Sequence, residues 1–325
     1  MSRSSYWLLT GPVLVTLFGA CSAADPGAEA QAVGSTAGLS HEVRARHERV
    51  RAFFRDRAQS ESVAQTRTES GTVVDWLPKP GNLPALPPTP AAFKDGLTPA
   101  ARTELQAQPE ARGPAGTVPR VRFDVEAYLR AVGEQVPEDP SQVLNEGPDR
   151  ELKLDELLKF PRARLPSAVR SVAGLLDVSP AGAEAGVTRL ALGRGVRSQR
   201  ESIVVGASLD DQPTLFTYYT TNGSRSAGDW LGGFDQRQAG FCQVSQTVVA
   251  GERLALPSKT ARVPMAIELH DGRWWVFAAG EWVGFYPRCR NVACGEDTVT
   301  CNSERPFLFS RNGLRHRADY ATALP

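Results

Sequence analysis

The pattern of apolar and polar positions changes near residue 200. From there on, β-branched and aromatic residues cluster in runs of five to nine, separated by Gly, Asn and Asp. Runs of this kind are typical of β-strands joined by tight turns. They predict strands near 201–209, 214–221, 240–249, 262–270, 273–278 and 281–286.

The fourth of these runs alternates most clearly. Val263, Met265, Ile267 and Leu269 alternate with Arg262, Pro264, Ala266, Glu268 and His270, which predicts one buried face and one wet face. Asp271-Gly272 predicts a type I′ hairpin, and Ala279-Gly280 a second tight turn. Three consecutive antiparallel strands rich in aromatic residues predict an all-β C-terminal domain, an antiparallel β-sandwich of curved sheets.

The chain before residue 200 predicts helices and irregular structure. An apolar stripe over 41–58, with Ser40 as N-cap, predicts a helix. Its six arginines either face solvent, the commoner case for a helix packed on its own protein, or rest on anionic headgroups. Residues 71–77 predict a short strand, and ten prolines within 78–120 predict an extended linker or irregular wrapping. Short helices are predicted at 124–132, 150–159 and 166–176.

The N-terminus has the features of an export signal. Arg3 precedes an apolar run that is too short to cross a bilayer, which takes about 20 apolar residues. The run ends in Leu17-Phe18-Gly19-Ala20-Cys21, which resembles a bacterial lipobox and predicts lipidation of Cys21; simple cleavage near 20–24 with full secretion is the alternative.

The predicted segments are 1–21 (signal), 22–39 (tether), 40–77 (helix and strand), 78–120 (linker), 121–180 (short helices) and 181–325 (β domain).

The remaining cysteines lie in the last 84 positions. In an exported protein they predict two disulfides with three possible pairings, among Cys242, Cys289, Cys294 and Cys301. A metal site in the 289–301 cluster is less expected, because its spacing is not that of a zinc ribbon and it contains no histidine. We expect no metal and no cofactor. With 37 Lys and Arg against 36 Asp and Glu, nothing suggests nucleic acid as a partner.

Several motifs of the C-terminal domain follow one another in a recognisable order. They are Leu215-Phe216-Thr217-Tyr218-Tyr219-Thr220-Thr221-Asn222-Gly223, Gly240-Phe241-Cys242-Gln243, Asp271-Gly272-Arg273-Trp274-Trp275 and Gly280-Glu281-Trp282-Val283-Gly284-Phe285-Tyr286-Pro287. In order and spacing these motifs resemble those of the neprosin family, whose members are secreted β-sandwich peptidases. Thr66-Arg67-Thr68 and Gly71 to Trp76 are similar to the amino-terminal part of bacterial members.

The resemblance implies curved antiparallel sheets with a long groove, preceded by a pro-region, and a glutamic peptidase that cleaves beside proline at acid pH. Such chemistry needs two facing carboxyl groups around one water. One takes a proton from the water, and its partner or a nearby amide donates to the developing oxyanion. Because crowded carboxyls resist joint ionisation, the optimum lies at acid pH.

The chain departs from the family at both catalytic positions. The family's first glutamate lies in a strand of the form hydrophobic-Glu-small-Gly-Trp, where this chain has Ile203-Val204-Val205-Gly206-Ala207. The second glutamate lies in a final Trp-Gly-Gly-Glu strand that the chain's last residues do not match. Glu201, Glu281 and Asp319 are the candidate replacements. Six aromatic residues are candidates for lining a groove: Tyr218, Tyr219, Trp274, Trp275, Trp282 and Tyr286.

Three functions follow as hypotheses. The first is an exported, lipid-anchored neprosin-like protein that has lost the glutamate pair and acts as a binding or structural module for a proline-containing peptide or protein. The second is an active proline-directed endopeptidase with a displaced acid pair. The third is a carbohydrate-binding β-sandwich, which would need exposed aromatic residues.

Overall fold

The computed structural model describes residues 39–94, 101–145, 170–179, 186–194, 201–209, 212–221, 231–237, 240–286 and 318–323. The α-helices are α1 (His41–Glu61), α2 (Glu104–Ala107) and α3 (Val125–Val132). The strands are β1 (Ala64–Arg67), β2 (Val73–Pro78), β3 (Arg102–Thr103), β4 (Thr117–Val121), β5 (Ser171–Val178), β6 (Gly186–Arg194), β7 (Glu201–Leu209), β8 (Leu215–Thr221), β9 (Leu231–Phe234), β10 (Cys242–Gln243), β11 (Leu254–Ala255), β12 (Ala261–His270), β13 (Arg273–Ala278), β14 (Glu281–Tyr286) and β15 (Ala318–Ala323).

Two five-stranded antiparallel sheets form the predicted sandwich. Their strand orders are β10-β14-β13-β12-β5 and β15-β6-β7-β8-β9. The main core lies between them and takes side chains from both, among them Ile203, Val205, Val263, Met265 and Trp274. Alternate residues of each strand reach this core because successive side chains point to opposite faces of a sheet.

Both predicted hairpins are confirmed. Asp271 and Gly272 have φ values of +48° and +75°, and Ala279 and Gly280 have +49° and +90°. These left-handed conformations match the twist of the flanking strands. They bring β12, β13 and β14 together as neighbours, with Leu269 opposite Trp274 and Trp275 opposite Phe285.

The helix at the start of the described chain is confirmed and packs on its own protein. The Ser40 hydroxyl accepts from the Val43 N–H, as an N-cap does. The apolar stripe of α1 joins α3 in a small cluster that contains Val50, Tyr128, Leu129 and Val132. No helix among the described residues is long and apolar enough to span a membrane.

Two predictions about secondary structure need correction. Residues 171–178 are a strand, not the end of a helix over 166–176, because Leu176 and Val178 alternate into the core while the segment pairs with β12. The strand predicted over 240–249 is only Cys242–Gln243. Strands β1, β3, β4, β6, β9, β11 and β15 were not predicted; β3, α2 and β4 lie within 78–120, where the prolines predict irregular structure. The helix predicted at 150–159 lies outside the described residues.

The outer face of β12 is also more buried than the alternation of apolar and polar residues along the strand predicts. Pro264 and Ala266 are buried, and Ala266 belongs to a second apolar cluster on that face, which includes Trp275, Phe277 and Trp282. Phe93, from the proline-rich segment, is buried in the same cluster. The predicted wrapping therefore covers one side of the sandwich.

Candidate functional site

Val204 lies in the middle strand of its sheet, on the face turned away from the main core. Its register partners are Ala191 on β6 and Tyr218 on β8. All three are buried in a small apolar cluster together with Phe216 and Phe234. The position that the resemblance assigns to the family's first glutamate is therefore fully enclosed here, among aliphatic and aromatic side chains.

The face that carries Val204 has no carboxylate among the residues whose side chains the structure describes. Strand alternation assigns to it Val187, Arg189, Ala191, Ser202, Val204, Gly206, Ser208, Phe216, Tyr218 and Phe234. Its one charged side chain in that set is Arg189, which is buried. Burial lowers the pKa of the Arg189 guanidinium, because a charged group loses hydration there.

Two of the candidate replacement acids lie in strands next to this face. Glu201 begins β7 opposite Arg194, in phase with Ile203 and Val205 of the main core. Asp319 lies at an irregularity of β15, between Ala318 and Tyr320, which pair with consecutive residues of β6. Both side chains are outside the described part of the structure. Because β6 separates β15 from β7, equivalent Cα positions on those strands are about 10 Å apart.

The third candidate, Glu281, is a hydrogen-bonded structural carboxylate. It is half-buried at the start of β14. Thr247 donates its hydroxyl to Oε1 at 2.6 Å, Ser245 donates to Oε2 at 2.7 Å, and the Gln106 side-chain amide donates to Oε1 at 3.1 Å. These bonds fasten the loop after β10 and helix α2 to the sheet, so Glu281 is not the solvated turn residue that strand ends usually carry.

All six aromatic residues predicted to line a groove are buried. None is more than 7% exposed. Tyr219, Trp274 and Tyr286 belong to the main core, Tyr218 to the Val204 cluster, and Trp275 and Trp282 to the cluster under the proline-rich segment. The carbohydrate-binding hypothesis requires exposed ring faces, and these residues offer none.

The chain's own proline-rich segment occupies the surface above Trp282 and Phe277. The indole N–H of Trp282 donates to the carbonyl of Pro87 at 3.0 Å. The ring of Phe93 stacks on Phe277 with centroids 5.6 Å apart and an interplanar angle of 26°. One aromatic hydrogen bond and one ring stack therefore hold an extended, proline-containing peptide against the sheet.

Replacing Phe93 with alanine is expected to cost about 3 kcal/mol in the free energy of unfolding, since it removes a buried ring from a packed cluster. Leu86→Ala, in the same segment, should cost less than about 0.5 kcal/mol, because Leu86 is 56% exposed. Urea unfolding of both variants measures the difference. Equal effects would mean that Phe93 does not anchor the segment.

Two buried acids that the sequence analysis missed lie where α2 meets the β domain. The Leu105 N–H donates to Oε1 of Glu252 at 2.5 Å, and Glu104 accepts from the hydroxyls of Thr68 and Ser70 at 2.7 and 2.8 Å. Burial, with a smaller contribution from the nearby Glu104, raises the pKa of Glu252 to about 8 against the opposing effect of its hydrogen-bond donors. Only their contacts reveal them, because isolated glutamates in a sequence look like surface residues.

Asp235 is a third buried acid, directly after β9. Its Oδ1 accepts from the Thr217 N–H at 2.8 Å, and Nη2 of Arg237 lies 3.9 Å from Oδ2. Burial raises the pKa of Asp235 to about 6, while Arg237 lowers it. Its backbone has a φ of +53°, which aspartate tolerates better than most residues.

The cysteines are described only in part. Cys242 is fully buried and disulfide-bonded. Cys21, Cys289, Cys294 and Cys301 lie outside the described residues, so the number and pairing of the disulfides stay predictions.

Comparison with known proteins identifies the domain that holds these features. Residues 185–293 match the family model described as Neprosin, a segment that begins with β6 and runs past β14. A search of curated proteins finds no match. The matched segment contains Val204, its enclosing cluster, and all four motifs between Leu215 and Pro287 that resemble that family. The chain therefore contains a neprosin-type domain at residues 185–293.

Proposed function

We propose that this chain is an exported, lipid-anchored member of the neprosin family that has lost the peptidase reaction and works as a module that binds proline-containing peptide. One observation carries the proposal. Val204 is buried among Ala191, Tyr218, Phe216 and Phe234, where the family's chemistry requires an ionisable acid. Valine can neither take a proton from water nor give one to an oxyanion.

The surroundings of Val204 support the loss of the catalytic acid rather than its replacement by another acid on the same face of the sheet. A catalytic carboxyl needs a water and a second acid within hydrogen-bonding reach. The described side chains that pack on Val204 are Ala191, Phe216, Tyr218 and Phe234, and the one charged side chain described on this face is Arg189. An acid introduced there would face no second carboxyl among the described side chains.

A displaced acid pair is the alternative, and Glu104 with Glu252 is the pair in the described structure that favours it. Buried carboxyls with a raised pKa are candidates for catalysis. However, both accept hydrogen bonds from their own chain, and neither lines the cavities found among the described residues. The arrangement of Glu104 and Glu252 fits a structural role, in which their hydrogen bonds attach α2 to the loop before β11.

The contact between the proline-rich segment and the sheet supports a peptide-binding role. Trp282 and Phe277 hold Pro87 and Phe93 through a carbonyl hydrogen bond and a ring stack, which are contacts that an extended peptide from elsewhere could also make. We propose that the segment occupies the surface in the resting protein and that a proline-containing partner competes with it.

A rescue experiment tests this role. A synthetic peptide of residues 79–93 should raise the thermal unfolding midpoint of the Phe93→Ala variant, because the weakened segment leaves the surface open to a ligand that binds the folded state. The same peptide with alanine at the Phe93 position is the matched control. A rescue that is absent, or equal with both peptides, would contradict peptide binding at this surface.

The lipid anchor makes a separate prediction. Cys21→Ser should move the protein from the membrane fraction to the soluble exported fraction, because the acyl chains are attached through that sulfur. Ser22→Ala is the control and should leave the protein in the membrane fraction. Fractionation with intact mass measurement checks both; a Cys21→Ser protein that stays membrane-bound and keeps its mass apart from the substitution would contradict lipidation.

A further inference from the structure

A large cavity lies between helix α1, the small sheet of β1, β2 and β4, and the loops that follow β9 and precede β11. Its volume is about 1150 Å³, at the upper end of ordinary ligand pockets. Eight arginines and four acidic residues line it. The whole chain carries a formal charge of only +1, so positive charge is concentrated at this cavity.

Part of this charge is compensated within the protein. Arg122 makes a two-pronged pair with Asp75, with contacts of 2.5 and 3.1 Å, and Arg51 makes another with Glu126, at 2.7 and 2.9 Å. The first pair connects β2 with the residue after β4, and the second connects α1 with α3. Together they hold in place the elements that line this part of the cavity. They do not account for the arginines at its other end.

Arg67 and Arg253 converge on the turn between β1 and β2. Arg67 donates to the carbonyl of Gly71 at 2.9 Å, and Arg253 donates to the adjacent carbonyl of Ser70 at 3.4 Å. Neither has a carboxylate partner among the described residues. Each guanidinium carries five N–H groups, so these two bonds leave most of their donors available at the cavity, which both residues line.

Asp235 provides an acceptor in the same cavity. The residue is 4% exposed and lines the cavity wall. Its Oδ1 is held by the Thr217 N–H, and its Oδ2 accepts no hydrogen bond from any residue that the structure describes, since Nη2 of Arg237 lies 3.9 Å away. A buried carboxylate oxygen without a donor is costly, so this atom fits a ligand that brings an N–H or O–H group.

We propose that the cavity is a binding site for an acidic peptide, whose carboxylates pair with Arg67 and Arg253 and whose backbone N–H donates to Oδ2 of Asp235. Guanidinium groups match carboxylates in a two-pronged geometry, and a peptide carries acids and N–H donors together. This site is separate from the surface at Trp282, and it does not depend on whether the domain hydrolyses peptides.

The lining argues against an acidic sugar as the ligand. Sugar rings stack on free aromatic faces, but the aromatic rings of this cavity cover one another. Phe123 lies 4.8 Å from Phe54 and 5.5 Å from Tyr128, and the guanidinium of Arg237 lies 4.8 Å above its ring. The volume also exceeds what a single inorganic anion fills.

Isothermal titration of the full mature protein with acetylated, amidated hexa-aspartate tests the site. The double variant Arg67→Gln/Arg253→Gln should weaken binding about tenfold or more, since it removes two charge-assisted contacts. The control double variant Arg49→Gln/Arg262→Gln removes the same charge outside the cavity and should change the affinity less than about twofold. Equal losses in the two doubles, or binding of hexa-serine as tight as that of hexa-aspartate, would overturn the proposal. So would tighter binding of an oligogalacturonate or of inorganic phosphate.

Asp235→Asn distinguishes the proposed contact from general attraction of charges. Because Oδ1 must still accept from Thr217, the amide nitrogen takes the place of Oδ2 and cannot accept an N–H. We therefore expect hexa-aspartate to bind about threefold to tenfold more weakly. Removal of a negative charge alone would make the peptide bind more tightly, and that result would overturn the role of Asp235.

Discussion

Replacing Val204 with glutamate is expected to lower the free energy of unfolding by about 3–5 kcal/mol and to create no peptidase. The side chain is fully buried among apolar neighbours, and a carboxyl group there loses its hydration, a cost that the buried Arg189 on the same face offsets only in part. On the proposed account the second acid is missing too, so one restored acid does not suffice. Urea unfolding and a peptide cleavage assay measure the two effects.

Val204→Met is the control for this substitution, because methionine is about as long as glutamate and carries no charge. It should cost about 1–2 kcal/mol from overpacking alone. A Val204→Glu protein as stable as the methionine variant would mean that position 204 reaches water. Cleavage of peptide by Val204→Glu would mean that a second acid already faces it.

The second large effect concerns pH. The pKa of Glu252 is raised to about 8 in the folded protein by burial, above its ordinary value of 4.5. Between these two values the unfolded chain ionises while the folded one keeps the proton, so stability falls as pH rises. We expect a loss of several kcal/mol from pH 5 to pH 8, about 1.4 kcal/mol for each unit of pKa difference.

Glu252→Gln should flatten this dependence above pH 6. Ionisation of Asp235, whose pKa is raised to about 6 from 3.8, also lowers stability as pH rises, but only below about pH 6. The change in stability from pH 6 to pH 8 therefore reports on Glu252 alone. Glu110→Gln, on an exposed turn, is the control and should leave the curve unchanged. Urea midpoints that do not fall from pH 6 to pH 8 in the native sequence would show that Glu252 is ionised throughout.

The strands that the sequence predicts best are those bounded by short turns. Strands β12, β13 and β14 are joined by Asp271-Gly272 and Ala279-Gly280, whose backbone preferences are local and therefore readable. Strand β5 was mistaken for a helix because its identity depends on pairing with β12, some ninety residues later. Non-local pairing of this kind leaves only a short apolar run in the sequence, and such runs are ambiguous.

The residues of the candidate site also divide into those that local sequence identifies and those that depend on distant segments of the chain. Val204 was singled out from its place in the motif Ile203-Val204-Val205-Gly206-Ala207, which is local in the sequence. The buried acids could not be found, because Asp235, Glu104 and Glu252 acquire their environment from segments far away in the chain. The burial of Trp275 and Trp282 was missed for a related reason: the residues that cover them come from a proline-rich segment that precedes the domain.

The most direct test of the proposed loss of the peptidase reaction is a cleavage assay with the purified mature protein and its Phe93→Ala variant. Proline-containing peptides are incubated from about pH 3 to pH 7, where paired carboxyls work, and products are identified by mass spectrometry; the variant ensures that the proline-rich segment does not conceal a working site. We predict no cleavage by either protein. Cleavage beside proline that disappears in Glu201→Gln, Glu281→Gln, Asp319→Asn or Glu252→Gln would contradict this and establish a displaced acid pair.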